Sequence, residues 1–467
     1  MRQQADNKSI DILILAAGLG TRMKSGYAKV LHKLDGRPFI AHVCRTAQAL
    51  APRKIIVVIG HQGDEVMAAV NRELGDGVAS FVRQEKQLGT GHAVDCARSI
   101  LEENESSTLL VLSGDVPVIR HETLGSLLRQ HQNHGEIGAA CTILSVRIEN
   151  PTGYGRMVRD RNGIFSRIVE QKDANDEELQ IKEVNSGIYC FNSPKLLAAL
   201  KRVKNDNAQG EYYLTDVPSL LKSEGDAVAV HRHNDSFEIE GVNNRVQLAE
   251  LERLLRKRTN SRLMLEFGVT LLDPSTTYVS ADTVIGKDTV LHPNVTIEGS
   301  SIIGEGCEIR SGSRITDSKI GSGVEILENS VVSDSIVEDD CRIGPMAHLR
   351  GEARMKNGSK VGNFVELKKT VLGESSKANH LSYLGDAEIG NRTNIGAGTV
   401  TCNYDGKKKH RTKIGDDVKI GSDTMLVAPV EVGDGAATGA GSVVTKDIPP
   451  STLAVGVPAE NKKKLDG

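Results

Sequence analysis

Short aliphatic runs ending in glycine or a polar turn punctuate the first half of the chain: DILILAAG from Asp11, KIIVVIG from Lys54 and STLLVLSGD from Ser107. Runs this apolar and this short, without polar alternation, read as strands buried on both faces of a parallel sheet. Between them PFIAHVCRTAQAL (Pro38 to Leu50) and GHAVDCARSILEEN (Gly91 to Asn104) carry helical spacing. The alternation predicts an α/β domain over residues 1–242 with a mainly parallel sheet. Ligands of such sheets sit beyond the strands' carboxyl ends, so the residues just after each run are the first candidates for chemistry.

From Asn243 to about Glu266 the pattern becomes one helix without proline or glycine. Leu248, Leu251 and Leu255 fall on one stripe with Leu254 beside it, and Glu252 precedes Arg256 by one turn. This segment, 243–267, is expected to link two domains. Past Gly268 the helical period stops. An aliphatic residue followed by glycine recurs instead, at Ile285–Gly286, Ile303–Gly304, Ile320–Gly321, Ile343–Gly344, Val361–Gly362, Leu372–Gly373, Ile389–Gly390, Ile395–Gly396, Ile414–Gly415, Ile420–Gly421 and Val432–Gly433. Many spacings are roughly 6, 12 or 18 residues, the hexapeptide signature of a parallel β-helix, which predicts about ten coils over residues 268–467. In that reading the aliphatic side chain stacks inward, and the glycine accepts a turn with positive φ.

Composition refines this picture. Lys+Arg 58 against Asp+Glu 61 leaves a net charge of −3, so neither nucleic acid nor a membrane surface is an expected partner. The seven cysteines are odd in number, scattered and form no C-x-x-C, so neither a disulfide framework nor a zinc site is suggested and a reducing cytoplasm fits best. No apolar run approaches the roughly 20 residues of a membrane span. The ILILAAG run has the wrong flanks for a signal peptide, with Asp11 before it and LGTRMK after it. Trp is absent and aromatics are 3%, as a narrow stacked interior requires.

Two places carry candidate chemistry. LAAGLGTRM (Leu15 to Met23) follows the first strand, and Gly18 and Gly20 would let backbone N–H groups approach an anion, aided by a following helix N-terminus. Arg22 and Lys29 add positive charge; the alternative is a plain tight turn. In the second half His380 either fills a turn or acts as a base. Arg350, Lys368 and Tyr383 would fall on successive coils around it, with Asn394 about one coil later. Two cations, a phenol and an amide beside one imidazole suit a sugar phosphate.

LAAGLGTRM, QLGTGHA (Gln87 to Ala93), LSGDVP (Leu112 to Pro117), PTGYGR (Pro151 to Arg156), IVEQKDA (Ile168 to Ala174), EVNSGIY (Glu183 to Tyr189), QGEYYLTD (Gln209 to Asp216) and EGVNNR (Glu240 to Arg245) occur in that order. Together they resemble the sugar-nucleotide pyrophosphorylases, and in particular the bacterial bifunctional N-acetylglucosamine-1-phosphate uridyltransferase/glucosamine-1-phosphate acetyltransferases. The likeness spans nearly the whole chain. It implies a Rossmann-like nucleotidyltransferase domain, a long helix and a left-handed parallel β-helix, assembled as a homotrimer. It implies acetylation of glucosamine 1-phosphate by acetyl-CoA, then UMP transfer from UTP to N-acetylglucosamine 1-phosphate, giving UDP-N-acetylglucosamine and pyrophosphate.

Carried over residue by residue, the resemblance makes Leu15, Ala16, Ala17 and Gly18 nucleotide contacts, with Arg22 and Lys29 neutralising the triphosphate. Gln84, Gly89 and Thr90 would read the uracil edge. Asp115 and Asn243 would hold Mg²⁺, a hard ion that takes phosphate oxygens as further ligands; by itself Asp115 reads as a turn residue after a strand. Gly155, Glu170 and Asn185 match sugar-binding positions. His380 would be the general base of acetyl transfer, a role suited to an ordinary imidazole pKa of about 6.5 and worth roughly 10²–10⁴ in rate. Arg350, Lys368, Tyr383 and Asn394 would bind glucosamine 1-phosphate, and the N–H of Ala397 would face the thioester oxygen. Asn403, Tyr404, Ser422 and Ala440 match acetyl-CoA contacts. KKKHR (Lys407 to Arg411) either meets CoA phosphates or faces water.

Two departures from the family pattern stand out. Ala28 replaces the usual proline before Lys29, a change that could loosen that loop but is discounted because Lys29 itself is retained, and AVGVPAE (Ala454 to Glu460) lacks an arginine expected near a CoA phosphate. Two rival readings are a nucleotidyltransferase with a merely regulatory β-helix, and a scaffold with a vestigial nucleotide domain.

Overall fold

The computed structural model describes residues 10–464 apart from 19, 104–107 and 136–137. The chain divides into two compact units that part between Glu252 and Arg253, inside one helix.

The first unit is built on one twisted sheet whose strands run, edge to edge, Val228–His233, Cys141–Arg147, Glu183–Asn192, Thr108–Ser113, Ile10–Ala16, Lys54–Ile59 and Ala79–Arg83. Glu183–Asn192 is antiparallel to both neighbours, and the other pairings along this path are parallel. Side chains alternate between two cores. Ile12, Ile14 and Val57 pack with Ile40, Val43 and Val66 on one face, while Leu13, Ile56 and Val111 pack with Val94, Leu196 and Val217 on the other. Burial on both faces explains the unbroken apolar runs. Asp11 lies inside the first strand, fully buried, where the Arg53 guanidinium pairs with it.

The helix expected over Gly91–Asn104 is two pieces among the described residues, Thr90–Asp95 and Arg98–Glu102. At the break Arg98 turns back to Asp95 and donates to the Leu197 carbonyl at 3.1 Å. The connecting helix runs Arg245–Glu266. It starts after Asn244, whose Oδ1 accepts from the Gln247 N–H at 2.9 Å as an N-cap does. Leu251 and Leu263 are buried, whereas Leu248, Leu254 and Leu255 are half-buried.

The second unit is a parallel β-helix of three sheets with 8, 10 and 9 strands, which agrees with the ten coils expected. Inward positions stack in columns: Leu291, Ile309, Ile326, Ile343 and Val361 on one sheet, Ile297, Ile315, Val332, Leu349 and Leu367 on the next. The described core of this unit contains aliphatic residues, cysteine and methionine but no aromatic ring.

The glycines after the aliphatic residues have a different reason from the one expected. Among the glycines of the repeat only Gly344 has positive φ. The others are squeezed by the coil above: a Cβ on Gly304 would lie 2.6 Å from the carbonyl of Gly321, and one on Gly373 2.2 Å from the Gly390 oxygen. The left-handed turn falls two residues later, at Asp288, Gly306, Gly323, Ser375, Arg392, Asp417 and Gly435, with φ between 53° and 67°. Close backbone stacking, rather than φ, excludes a side chain at the repeat glycine.

Candidate functional sites

In the first unit a cleft of about 290 Å³ opens at the carboxyl ends of the parallel strands, as the doubly wound topology requires. Leu15, Ala16, Ala17, Gly18, Lys29, Gln84, Gly89, Thr90 and Asp115 line it, together with Val30, Gln87, Ala93, Ser113 and Glu211. Gln87 Nε2 donates to the Ala17 carbonyl at 2.7 Å, and Gln84 Nε2 donates to the Gly89 carbonyl at 3.1 Å. Gly89 has φ 108°, and a Cβ there would meet the Tyr212 oxygen at 2.6 Å, so only glycine fits. Among the described residues, no α-helix N-terminus stands directly behind the glycine turn. Thr21–Met23 forms a single 3-10 turn, and the first α-helix is Phe39–Gln48. Positive charge in this loop comes from side chains.

Those side chains converge. Lys29 Nζ pairs with Asp115 Oδ2 and lies 3.2 Å from Asn243 Oδ1, which also accepts from Arg22 Nη2 at 2.9 Å. The Val242 N–H, at 3.1 Å from the Asp115 carbonyl, brings the 241–243 loop to this point. Burial pushes the Asp115 carboxyl up, but the Lys29 ammonium and the Ser113 hydroxyl, 2.6 Å from Oδ1, outweigh it and hold the group below its usual range. Asp115 is thus an anion whose partner oxygen on Asn243 faces the same cation. Two hard oxygens converging on one positive centre suit Mg²⁺, which typically takes one or two protein carboxylates plus phosphate oxygens.

Gly155, Glu170 and Asn185 form a second group outside the lining of that cleft. The Asn185 N–H donates to the Gly155 carbonyl at 2.9 Å, and a Cβ on Gly155 would press on Glu170 at 3.4 Å. Asn185 Nδ2 reaches the Tyr189 hydroxyl at 2.6 Å. Burial raises the Glu170 carboxyl, opposed by a hydrogen bond with Thr215 and reinforced by Asp173, Asp216 and Glu211. Glu211 also lines the cleft, so the two groups adjoin.

At Ala28 the loop is held by hydrogen bonds to one side chain. The buried Ala28 N–H donates to Gln62 Oε1 at 2.5 Å, while Gln62 Nε2 donates to the Gly26 carbonyl at 2.9 Å.

In the β-helix, His380 closes the strand Lys377–His380 and is exposed at a corner; Leu381, with φ 48°, turns the chain into Tyr383–Gly385. Asn363, its register partner one coil earlier, places Oδ1 3.0 Å from His380 Nδ1. An amide oxygen accepts, so Nδ1 carries the hydrogen and Nε2 is the basic nitrogen. Ala378 pairs with Ile395, which puts Ala397 above His380, and repeat glycines Gly396, Gly421 and Gly439 stack so that Ser422 and Ala440 continue the same corner. His380, Ala397, Ser422 and Ala440 therefore form one ascending column.

On the adjoining sheet Arg350 and Lys368 are in register on successive coils, and Gly385 follows Lys368. Arg350 also donates to Glu366 at 2.7 Å. The space where a side chain at Gly385 would stand is filled by the Tyr383 hydroxyl and Asn403 Nδ2. Asn394 lies on His380's own sheet, in register with Lys377. Tyr404 is exposed. The KKKHR segment is an ordered loop: Asp405 accepts from the Lys407 and Lys408 N–H groups at 2.7 Å each and pairs with His410 at 2.6 Å. It turns Lys409 onto Lys368; this contact, with Lys409's charge and that of Arg350, holds the Lys368 amine below its usual range. Asn363 and Lys409 escape a reading of local motifs. The 17-residue coil step would have found the first, while the second sits on an insertion with no period.

An α/β nucleotide cleft and a β-helix corner with a polarised imidazole define a two-site transferase. Residues 12–236 match the nucleotidyl transferase family, residues 275–355 the GMPPB C-terminal domain, and residues 411–446 the bacterial transferase hexapeptide (six repeats). The bifunctional protein GlmU of Syntrophomonas wolfei is 49% identical over 96% of this chain and 97% of its own. That of Pelobacter propionicus is 49% identical over 96% of each chain, and that of Listeria welshimeri 46% identical over 97% of each. The chain belongs to the GlmU family of bifunctional transferases.

Proposed function

We propose that the β-helix acetylates glucosamine 1-phosphate with acetyl-CoA and that the α/β unit then converts the product and UTP to UDP-N-acetylglucosamine and pyrophosphate. One observation carries the reading. The corner column of His380, Ala397, Ser422 and Ala440 borders the sheet that carries Arg350 and Lys368 on successive coils, with Lys409 at Lys368. Glu366 pairs with Arg350 and Asp386 acts on Lys368, which leaves this group of three cations and two carboxylates with one net positive charge, and the phosphate of an amino-sugar phosphate suits it.

The amine nitrogen attacks the thioester carbonyl carbon, His380 Nε2 takes the amine proton, and the C–S bond breaks to release CoA. The Ala397 N–H stabilises the oxyanion, while Tyr383, Asn394 and Asn403 hold sugar and acyl group in place. Tyr404, Ser422 and Ala440 contact the CoA arm. In the α/β unit Gln84, Gly89 and Thr90 seat the base and the Leu15–Gly18 turn the ribose phosphates. Gly155, Glu170 and Asn185 hold the sugar, whose phosphate oxygen attacks the α-phosphorus in line; the bond to the β-phosphate oxygen breaks and pyrophosphate leaves. Arg22 and Lys29 neutralise the charge that develops. Asp115 and Asn243 would hold Mg²⁺, which supplies charge neutralisation at the phosphates.

The enzyme works as a homotrimer in the cytoplasm. Hexapeptide repeats on the β-helix support the trimer, and seven free cysteines support a reducing compartment. Light scattering should give a mass near three times 50.3 kDa. The decisive assay supplies glucosamine 1-phosphate, acetyl-CoA, UTP and Mg²⁺ together. UDP-N-acetylglucosamine, CoA and pyrophosphate are expected. Absence of CoA release would refute the acetyl-transfer half, and absence of pyrophosphate from N-acetylglucosamine 1-phosphate the other half.

A further inference from the structure

We infer that Gln62 is a positioning residue for Lys29: its amide clamps the loop that carries Lys29, replacing by hydrogen bonds the stiffness a proline at position 28 would give. The inference rests on the proposed role of Lys29 at the triphosphate. Gln62 stands at the N-cap of the helix Gly63–Leu74, yet its side chain makes no bond to that helix. It reaches the other way, with Oε1 accepting from Ala28 N–H at 2.5 Å and Nε2 donating to Gly26 O at 2.9 Å. Both polar ends of the amide are thus committed to one loop, 34 and 36 positions away.

The backbone holds a further sign. Gln62 has φ 54° and ψ 39°, a left-handed conformation that strains a β-carbon-bearing residue and that glycine adopts freely. Retaining glutamine there fits a side chain with a task. Ala28 is buried, so its N–H needs a partner, and its φ of −54° and ψ of 140° are values proline also takes. On the other side of Lys29, a Cβ on Gly20 would stand 2.5 Å from the Lys29 Cβ. Lys29 is therefore set between a backbone wall and the Gln62 clamp, with its ammonium on Asp115 and Asn243.

The test uses the full-length chain and both activities. Gln62→Gly should lower kcat for uridylyl transfer about 10- to 100-fold, the effect of a misplaced catalytic group. Thermal stability should change little, because relief of the left-handed backbone offsets the loss of the partner of the buried Ala28 N–H, and acetyl transfer should be unchanged. Adding Ala28→Pro to Gln62→Gly should restore most of the lost kcat, a rescue that a merely structural role in the helix would not show. Wild-type uridylyl transfer in Gln62→Gly, or no recovery on adding Ala28→Pro, would overturn the inference. Lys29→Met separates the two possible failures. Full activity there removes the underlying reading of Lys29, whereas an inactive Lys29→Met beside an unimpaired Gln62→Gly removes the clamp alone.

Discussion

In the α/β unit, Lys29 meets Asp115 across 86 positions and Asn243 across 214. In the β-helix, His380 meets Asn363 across 17, one coil. The first site is assembled by a sheet that gathers loops from distant parts of the chain, and its geometry depends on every strand between them. The second is assembled by repetition: a residue's neighbours above and below are fixed by the coil step. Function can therefore be altered globally in one region and locally in the other.

The largest expected effect concerns the independence of the two sites. His380→Ala should cut acetyl transfer by about 10²–10⁴ and leave uridylyl transfer at its original rate. Lys29→Met should cut uridylyl transfer by about 10²–10³ and leave acetyl transfer alone. CoA release and pyrophosphate release, measured separately on each variant, check both. Loss of both activities in either folded variant would break the comparison.

The same contrast explains what could be read in the sequence. Aliphatic runs gave the α/β sheet because parallel strands buried on both faces cannot alternate, and repeating aliphatic–glycine pairs gave the coil count. The antiparallel course of Glu183–Asn192 was hidden, since burial on two faces looks alike in either direction. The motifs named Asp115 and Asn243, but nothing local to them shows that Lys29 bridges the pair. Gln62 was invisible because its partners are loop backbone atoms, which carry no side-chain signature. Glycine in the repeat was seen, but its cause was misjudged. Positive φ is a property of one residue, whereas crowding by Gly321 on Gly304 belongs to two coils.

Core truncations should show the difference as reach rather than size. Leu112 and Leu349 are both fully buried, and each Leu→Ala change should cost about 2–5 kcal/mol. Hydrogen exchange in Leu112→Ala should speed up across the whole sheet and uridylyl transfer should weaken. In Leu349→Ala the faster exchange should stay within the neighbouring coils, as in a quasi-one-dimensional solenoid. Uniform loss of protection along the β-helix would contradict this.

Two glycines two positions apart sharpen the account of the corners. Gly304→Ala places a methyl against the Gly321 carbonyl and should cost about 1–3 kcal/mol, the usual price of overpacking. Gly306→Ala meets open space but must keep φ 64°, which should cost about 1 kcal/mol. Urea titration of the two variants should rank Gly304→Ala as the more destabilised. The reverse order would return the repeat glycine to a conformational role.

The smallest effect is electrostatic and separates the units by burial. Glu238, fully buried in the α/β unit, accepts from the Thr123 hydroxyl at 2.6 Å and pairs with the Arg120 guanidinium. Burial pushes its carboxyl up, but Arg120 and Thr123 outweigh that and leave it below the usual range. A depressed carboxylate adds stability above its unfolded pKa, near 4.3, and that stability is lost as the pH falls through the lower folded value. Glu238→Gln should thus cost about 1–2 kcal/mol at pH 7, and the gap to the wild type should close as the pH drops below about 4. Asp417, paired with Arg392 on the β-helix surface at 2.6 Å, is also depressed through that hydrogen bond. Water screens this exposed pair, so Asp417→Asn should leave urea midpoints unchanged at either pH. Equal pH dependence in the two variants would show that burial does not decide which ion pairs hold this chain together.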